Sequence, residues 1–224
     1  MERIICLGIG YAFGLIQTAY IYGRLNHIDI REFGSGNAGT TNAMRVLGKK
    51  AGIITYIGDS FKALFAIIAI YFIFNSQSNA QELFLLKMYC GFGVILGHNF
   101  PFYMGFKGGK GIAATSGVIF ALGDLKLLLL AFFTFTIITM ISKYVSLGSL
   151  CMLGAFFFEI VIFNQFKILG MQNNLELSGT MRFELYILSF LFSALAFIKH
   201  RANIVRLIHG NERKIGQKKT QEQE

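Results

Sequence analysis

Between Ala51 and Phe74 the chain carries only two charged side chains, Asp59 and Lys62, in a run otherwise dominated by Ile, Phe and Ala. Roughly 17–25 mainly apolar residues are what an α-helix needs to cross a bilayer. Six more apolar stretches share the pattern, so the candidate spans are Ile4–Tyr22, Ala51–Phe74, Leu83–Gly97, Ile112–Leu122, Leu125–Ile141, Val145–Phe163 and Phe183–Ile198. The fourth is too short to cross alone at 1.5 Å per residue, and the reading extends it back into the glycines that precede it. The first could be taken for a signal peptide, but its start is weakly charged and six spans follow, so it reads as a retained helix. Composition agrees with lipid exposure. Of 224 residues, 54% are hydrophobic and only 15% charged, where a soluble domain carries about a quarter charged. Cys6, Cys90 and Cys151 lie in apolar stretches and form no CxxC pair to suggest metal or redox work, so they read as packing residues.

The cationic residues set the orientation. The connections after spans one, three and five and the C-terminal segment hold fifteen of the 21 lysines and arginines. The opposite connections hold five, and Lys62 lies within a span. Positive charge accumulates on the cytoplasmic side, which puts the N-terminus outside and the C-terminus in the cytoplasm, as seven crossings require. The expectation is an all-α membrane protein of seven transmembrane helices, with residues 1–212 one membrane domain and 213–224 a polar, disordered tail. The net charge of +9 then points to lipid and phosphate as partners, with no nucleic acid.

The residues capable of chemistry crowd the cytoplasmic connections. The first contains Gly34-Ser35-Gly36-Asn37-Ala38-Gly39-Thr40-Thr41-Asn42, then Arg45. Small residues let backbone N–H groups approach an anion, hydroxyls and amides add donors, and a following helix start contributes its positive end. The bland alternative is a flexible turn. Its GxGxxG spacing is not a dinucleotide fingerprint, because no strand or βαβ unit surrounds it. The third connection holds His98, then Lys107-Gly108-Gly109-Lys110-Gly111, a second candidate anion cradle. Lys107 is equally well read as a snorkelling residue, whereas Lys110 sits among the glycines. His98 fits a site residue and a satisfied helix-end residue equally. In the fifth, Ser146 and Ser149 share a helix face, which packing alone also explains. Past the seventh span, His200, Asn203 and Arg206 recur every third residue on one stripe. An interfacial amphipathic helix would explain the cations but not Asn203.

Four of these segments, GSGNAGTTNAMR, GHNFPFYMGFKGGKG, KYVSLGS and HRANIVRLIHGNE, resemble in order and placement the motifs of the bacterial integral-membrane acyl-phosphate:glycerol-3-phosphate acyltransferase family. The resemblance covers nearly the whole chain. It implies transfer of an acyl group from acyl phosphate to the 1-hydroxyl of glycerol 3-phosphate. The products would be 1-acylglycerol 3-phosphate (lysophosphatidate) and phosphate, formed without a cofactor. It further implies a multi-pass protein of the cell inner (plasma) membrane with its site facing the cytoplasm, and a soluble acyl-phosphate-producing enzyme as a candidate partner. By matching position, Arg45, Lys110 and His200 become the catalytic candidates. Ser35, Gly36, Asn37, Thr41, Asn42, Lys107, Gly108, Gly109, Ser146, Ser149, Asn203 and Arg206 become substrate-binding candidates. The chain departs from the family pattern at Ala113-Ala114-Thr115, where Ala-Thr is usual after the GGKG, and at Ala63, where glycine is usual. A transporter for a phosphorylated solute is the competing reading, but seven spans do not divide into two equal repeats.

Overall fold

The computed structural model describes residues 1–170 and 175–217, and within them every regular element is helical. In chain order these are α1 (Glu2–Gly14), α2 (Thr18–Leu25), α3 (Thr40–Leu47), α4 (Lys49–Phe74), α5 (Ala80–Asn99), α6 (Ile112–Leu122), α7 (Leu125–Ser142), α8 (Val145–Gln165), α9 (Gly179–Lys199) and α10 (Arg201–Ile208). Six stretches are long and apolar enough to cross a membrane: α1 with α2, α4, α5 with the turn after it, α7, α8 and α9.

Two expectations are corrected. α6 does not extend back into the glycines. Gly111 takes a left-handed conformation (φ 82°, ψ 2°) that stops the helix at Ile112. Eleven residues rise about 16 Å, half of the hydrocarbon thickness. The first span is also not continuous: α1 ends at Gly14, and Gln17 adopts an extended conformation before α2 begins. Side chains take up carbonyls exposed by this break. Gln17 Nε2 donates to Gly14 O and His98 O, and Lys62 Nζ donates to Gly14 O and Ile16 O.

α5 is the hub. About 72% of its apolar window is buried, against 17% for α7. α1 lies against it at backbone distance. A Cβ on Gly10 would sit 2.1 Å from Cys90 O, and one on Gly97 2.2 Å from Tyr11 O. Paired small residues, Gly10 and Gly14 facing Gly93 and Gly97, let two membrane helices approach this closely. At the far end, the Arg3 guanidinium binds Glu184, which also accepts from Tyr89 Oη at 3.0 Å, tying α1, α5 and α9 together. α9 and α10 are nearly one helix, interrupted only at His200. Of the expected polar tail, 218–224 lie outside the described residues; before them, Ile215 N–H donates to Lys143 O at 2.9 Å, bringing the chain back onto the α7–α8 turn.

Gly97→Val is therefore expected to force α1 off α5 and to destabilise the fold by about 1–3 kcal/mol or more. Thermal unfolding of the purified protein in detergent would read this directly, and an unchanged transition would contradict the packing.

Candidate active site

The first connection is shaped by one amide. Asn42, 1% exposed, donates both Nδ2 hydrogens to the carbonyls of Ile30 and Phe33 and accepts the Ser35 N–H at Oδ1. This ties the loop into a fixed curve ahead of α3, whose first turn has no capping side chain. Arg31 joins that loop to the third connection. It is held by Asp29 and donates to Met104 O. Burial costs the Asp29 carboxylate, but its bonds to Arg31 dominate and hold its pKa below the ordinary value. With both amide hydrogens spent on the loop, Asn42 has no donor left for an anion. Its part is to build the loop.

In the third connection, the N–H groups of Gly108 and Gly109 donate to Asn99 O and His98 O. These glycines do not form an anion cradle from their own amides. They are small because space is lacking. A Cβ on Gly108 would sit 2.0 Å from His98 O, and one on Gly109 2.1 Å from His98 Nε2 and 2.9 Å from Ala38 O. The turn thus lies flat on His98 and against the first loop, and delivers Lys110 just ahead of α6.

Lys110 Nζ donates to Asn203 Oδ1, and Asn203 Nδ2 donates to Glu212. Glu212 also accepts from Ser146 Oγ at 2.9 Å and Arg206 Nε at 2.7 Å. Three connections far apart in sequence therefore meet: the lysine turn, the start of α8, and α10 with the segment after it. Burial pushes the Lys110 ammonium down to about 8; the cations of Arg206, Arg45 and Lys199 add to this, while Glu212 opposes it. Arg45 is likewise shifted down, by burial first and then by Arg213 and Arg206. Burial and then Lys110 push the His200 imidazole down to about 4, so it is neutral at neutral pH. Its Nδ1 lies 2.8 Å from Ala196 O. A carbonyl can only accept, so Nδ1 carries the hydrogen and Nε2 presents a lone pair. Burial works against the Glu212 carboxylate, but donation from Asn203, Arg206 and Ser146 holds it below its usual range.

Next to this cluster a groove of about 360 Å³ begins at Ile112 and runs between α4, α6, α7 and α8, walled by Phe61, Phe120, Phe132 and Met152 among others. It is apolar apart from the hydroxyls of Tyr56, Ser60 and Ser116.

The structure thus brings together Lys110, Ser146, His200, Asn203 and Arg206, with Arg45 near enough to be felt electrostatically by Lys110. Ser35, Gly36 and Thr41 are exposed and Asn37 half-buried on the first loop, without a hydrogen bond to that cluster. Lys107 is exposed. Ser149 donates to Val145 O in its own helix, as a packing serine does. Thr115, where the family pattern is displaced, is buried and donates back to Gly111 O. Glu212 is the residue that sequence reasoning missed. The available signal was a lone acid six residues beyond Arg206, after Gly210, at the end of a basic stripe. Among the described residues, no group of three or more His, Cys, Asp or Glu side chains could hold a metal.

A family profile described as glycerol-3-phosphate acyltransferase matches residues 4–210. The glycerol-3-phosphate acyltransferase of Clostridioides difficile strain 630 is 36% identical over 222 residues, covering 96% of this chain and 97% of the relative. That of Chlorobium phaeobacteroides is 34% identical over 228 residues, covering 95% and 96%. The crystal structure of PlsY, an integral membrane glycerol 3-phosphate acyltransferase, in its glycerol 3-phosphate form superposes with a TM-score of 0.78 at 28% identity, covering 96% of both chains. Its lysophosphatidic acid form superposes with a TM-score of 0.76 at 27% identity.

Gly109→Ala should displace the lysine turn from His98 and lower turnover about tenfold or more, since positioning errors of an ångström are that costly. Steady-state rates of the folded variant would check it.

Proposed function

The chain belongs to the glycerol-3-phosphate acyltransferase family, and we propose that it transfers an acyl group from acyl phosphate to the 1-hydroxyl of glycerol 3-phosphate, releasing lysophosphatidate and phosphate. One observation carries the reading. Lys110 stands among the cations Arg206 and Arg45, beside a neutral histidine and two residues before the Ile112 end of an apolar groove. Two phosphorylated substrates, one with a fatty chain, match that combination of charge and hydrocarbon.

In the proposed step the substrate hydroxyl attacks the acyl carbonyl carbon, a C–O bond to it forms, and the C–O bond to the leaving phosphate breaks. Acyl phosphate already has a good leaving group, so the site supplies positioning and charge rather than a protein nucleophile. Arg45 and Lys110 balance phosphate charge. His200 Nε2 accepts a hydrogen bond from the attacking hydroxyl and so orients it. With its pKa near 4, His200 is too weak a base to keep the proton, which leaves on the released phosphate. Ser35, Asn37 and Thr41, on the exposed face of the first loop, supply donors to one phosphate, and Lys107 adds charge at the rim. Ser146, Asn203 and Arg206, preassembled on Glu212, supply the other side. The acyl chain lies in the α4–α6–α7–α8 groove, entering sideways from the lipid.

The same reading places the protein in the plasma membrane as one domain over residues 1–212, N-terminus outside, with α6 as the fourth of seven crossings. The glycine-rich turn before α6 then covers the remaining depth from the cytoplasmic side. A soluble enzyme making acyl phosphate would deliver the donor to that face.

Purified protein in detergent with EDTA, given palmitoyl phosphate and glycerol 3-phosphate, should form lysophosphatidate. Product from acyl-CoA but none from acyl phosphate would reject the donor. Lys110→Ala and Arg45→Ala should each lower kcat/KM by about 10³-fold or more, the scale of losing a charge that stabilises the reacting centre, without loss of folded protein. Because the Lys110 ammonium lies at about 8, the rate should fall as pH rises through 8. Lys110→Arg, whose guanidinium keeps its charge, should lose that alkaline limb in whatever activity it retains.

A further inference from the structure

The second span holds an ion pair that the proposed chemistry does not use. Asp59 and Lys62 are 1% and 4% exposed, one turn apart on α4, with Lys62 Nζ 2.9 Å from Asp59 Oδ1. Thr18 Oγ1 donates to the same carboxylate oxygen at 3.0 Å. Lys62 Nζ also lies 2.8 Å from His98 Nδ1. An ammonium has no lone pair, so it donates, and His98 is the neutral tautomer with its hydrogen on Nε2. That opposite edge of the ring fills the space where a Gly109 side chain would stand. The backbone repeats the connection. Gly109 N–H donates to His98 O, Gly108 N–H to Asn99 O, and Lys199 Nζ to Asn99 O at 3.0 Å. An unbroken path therefore leads from α4 through one imidazole to the turn that carries Lys110, while the same ammonium holds the broken first span at Gly14 and Ile16.

We propose that Asp59, Lys62 and His98 are positioning residues of the active site, fixing the Gly108–Lys110 turn against the bundle so that the Lys110 side chain is set at the substrate phosphate. This rests on the reading of Lys110 as a phosphate-binding residue. The physical reason is economy of motion. A lysine on a glycine-rich turn is mobile unless something beneath it is rigid, and a buried ion pair with each hydrogen directed at an acceptor is rigid. Removing one partner alone would leave a charge stranded in the membrane, so single Ala variants would report folding rather than positioning.

The test uses the full-length protein in detergent. Asp59→Asn with Lys62→Met removes both charges together, keeping an acceptor for Thr18. His98→Asn keeps the ion pair but withdraws the ring from Gly109. The double variant also withdraws the ammonium from Gly14 O and Ile16 O and is expected to unfold at a lower temperature, whereas His98→Asn is expected to keep the wild-type transition. Both are expected to lose about 10²-fold in kcat/KM for glycerol 3-phosphate per folded molecule, the cost of displacing a binding group by an ångström. A merely structural role would move the unfolding transition and leave the kinetics of the folded fraction alone. Should the double variant not fold, His98→Asn decides by itself. A folded variant within about twofold of wild type in kcat/KM, while Lys110→Ala is inactive, would overturn the positioning role. Wild type that makes no lysophosphatidate, or an active Lys110→Ala, would instead overturn the functional reading on which it rests.

Discussion

In hydrocarbon no water takes over a carbonyl that a helix has released, so a break in a transmembrane helix has to be filled by side chains. The first span breaks between Gly14 and Thr18, and the groups that fill it come from elsewhere in the chain: the Gln17 amide from within the break and the Lys62 ammonium from α4. The rest of that end of the bundle is arranged around that solution. Lys62 requires Asp59, because an unpaired ammonium there costs about 2.5–3.5 kcal/mol on insertion scales. On its far side His98 Nδ1 is a further acceptor at 2.8 Å. His98 in turn leaves no room for a side chain at Gly109. A backbone defect in one helix is thereby converted into a fixed surface beneath a loop from another.

The proposed anion site gathers cations close to one another. Burial first lowers the proton affinity of Lys110 and Arg45, and neighbouring cations add to it, Arg206 and Arg45 at Lys110 and Arg213 and Arg206 at Arg45, so an incoming anion of the kind proposed would relieve that crowding. Glu212 offsets part of that charge. Its carboxylate gathers Ser146, Asn203 and Arg206 while leaving Lys110 bound only to a neutral amide. Arg206 is balanced. Lys110 and Arg45 are within salt-bridge distance of no carboxylate among the described residues, which is the state expected of cations reserved for a substrate.

How much of this was legible in the sequence depended on whether the signal was local. Spans such as α4 and α8 declare themselves by composition. The candidate cations are marked by their glycine and asparagine neighbours. What periodicity could not give was any feature made by two distant segments. The break at Gly14 reads as uninterrupted apolar helix, because its compensation lies at Lys62. The Gly108-Gly109 pair reads as an anion cradle, because in sequence a glycine that frees an amide looks the same as a glycine that makes room for His98. Asn42 reads as a phosphate donor for a similar reason: the carbonyls that consume its hydrogens lie at Ile30 and Phe33, nine or more residues upstream. Glu212 was present in the motif but silent, since its donors come from two helices far apart in sequence, Ser146 from α8 and Asn203 and Arg206 from α10.

The shortness of α6 joins these threads. A helix of eleven residues covers about 16 Å, while its neighbours α4 and α8 are long enough to cross. The start of α6 lies partway along α4, where Ser60 Oγ, eleven residues in from Lys49, donates to Ala113 O at 2.9 Å, so Lys110 is set below the Lys49 end of α4. The apolar groove begins at Ile112, two residues on. Charge and hydrocarbon meet at a single depth, and an amphiphile lying at that depth would place its phosphate at Lys110 and its chain along α6 without leaving the lipid.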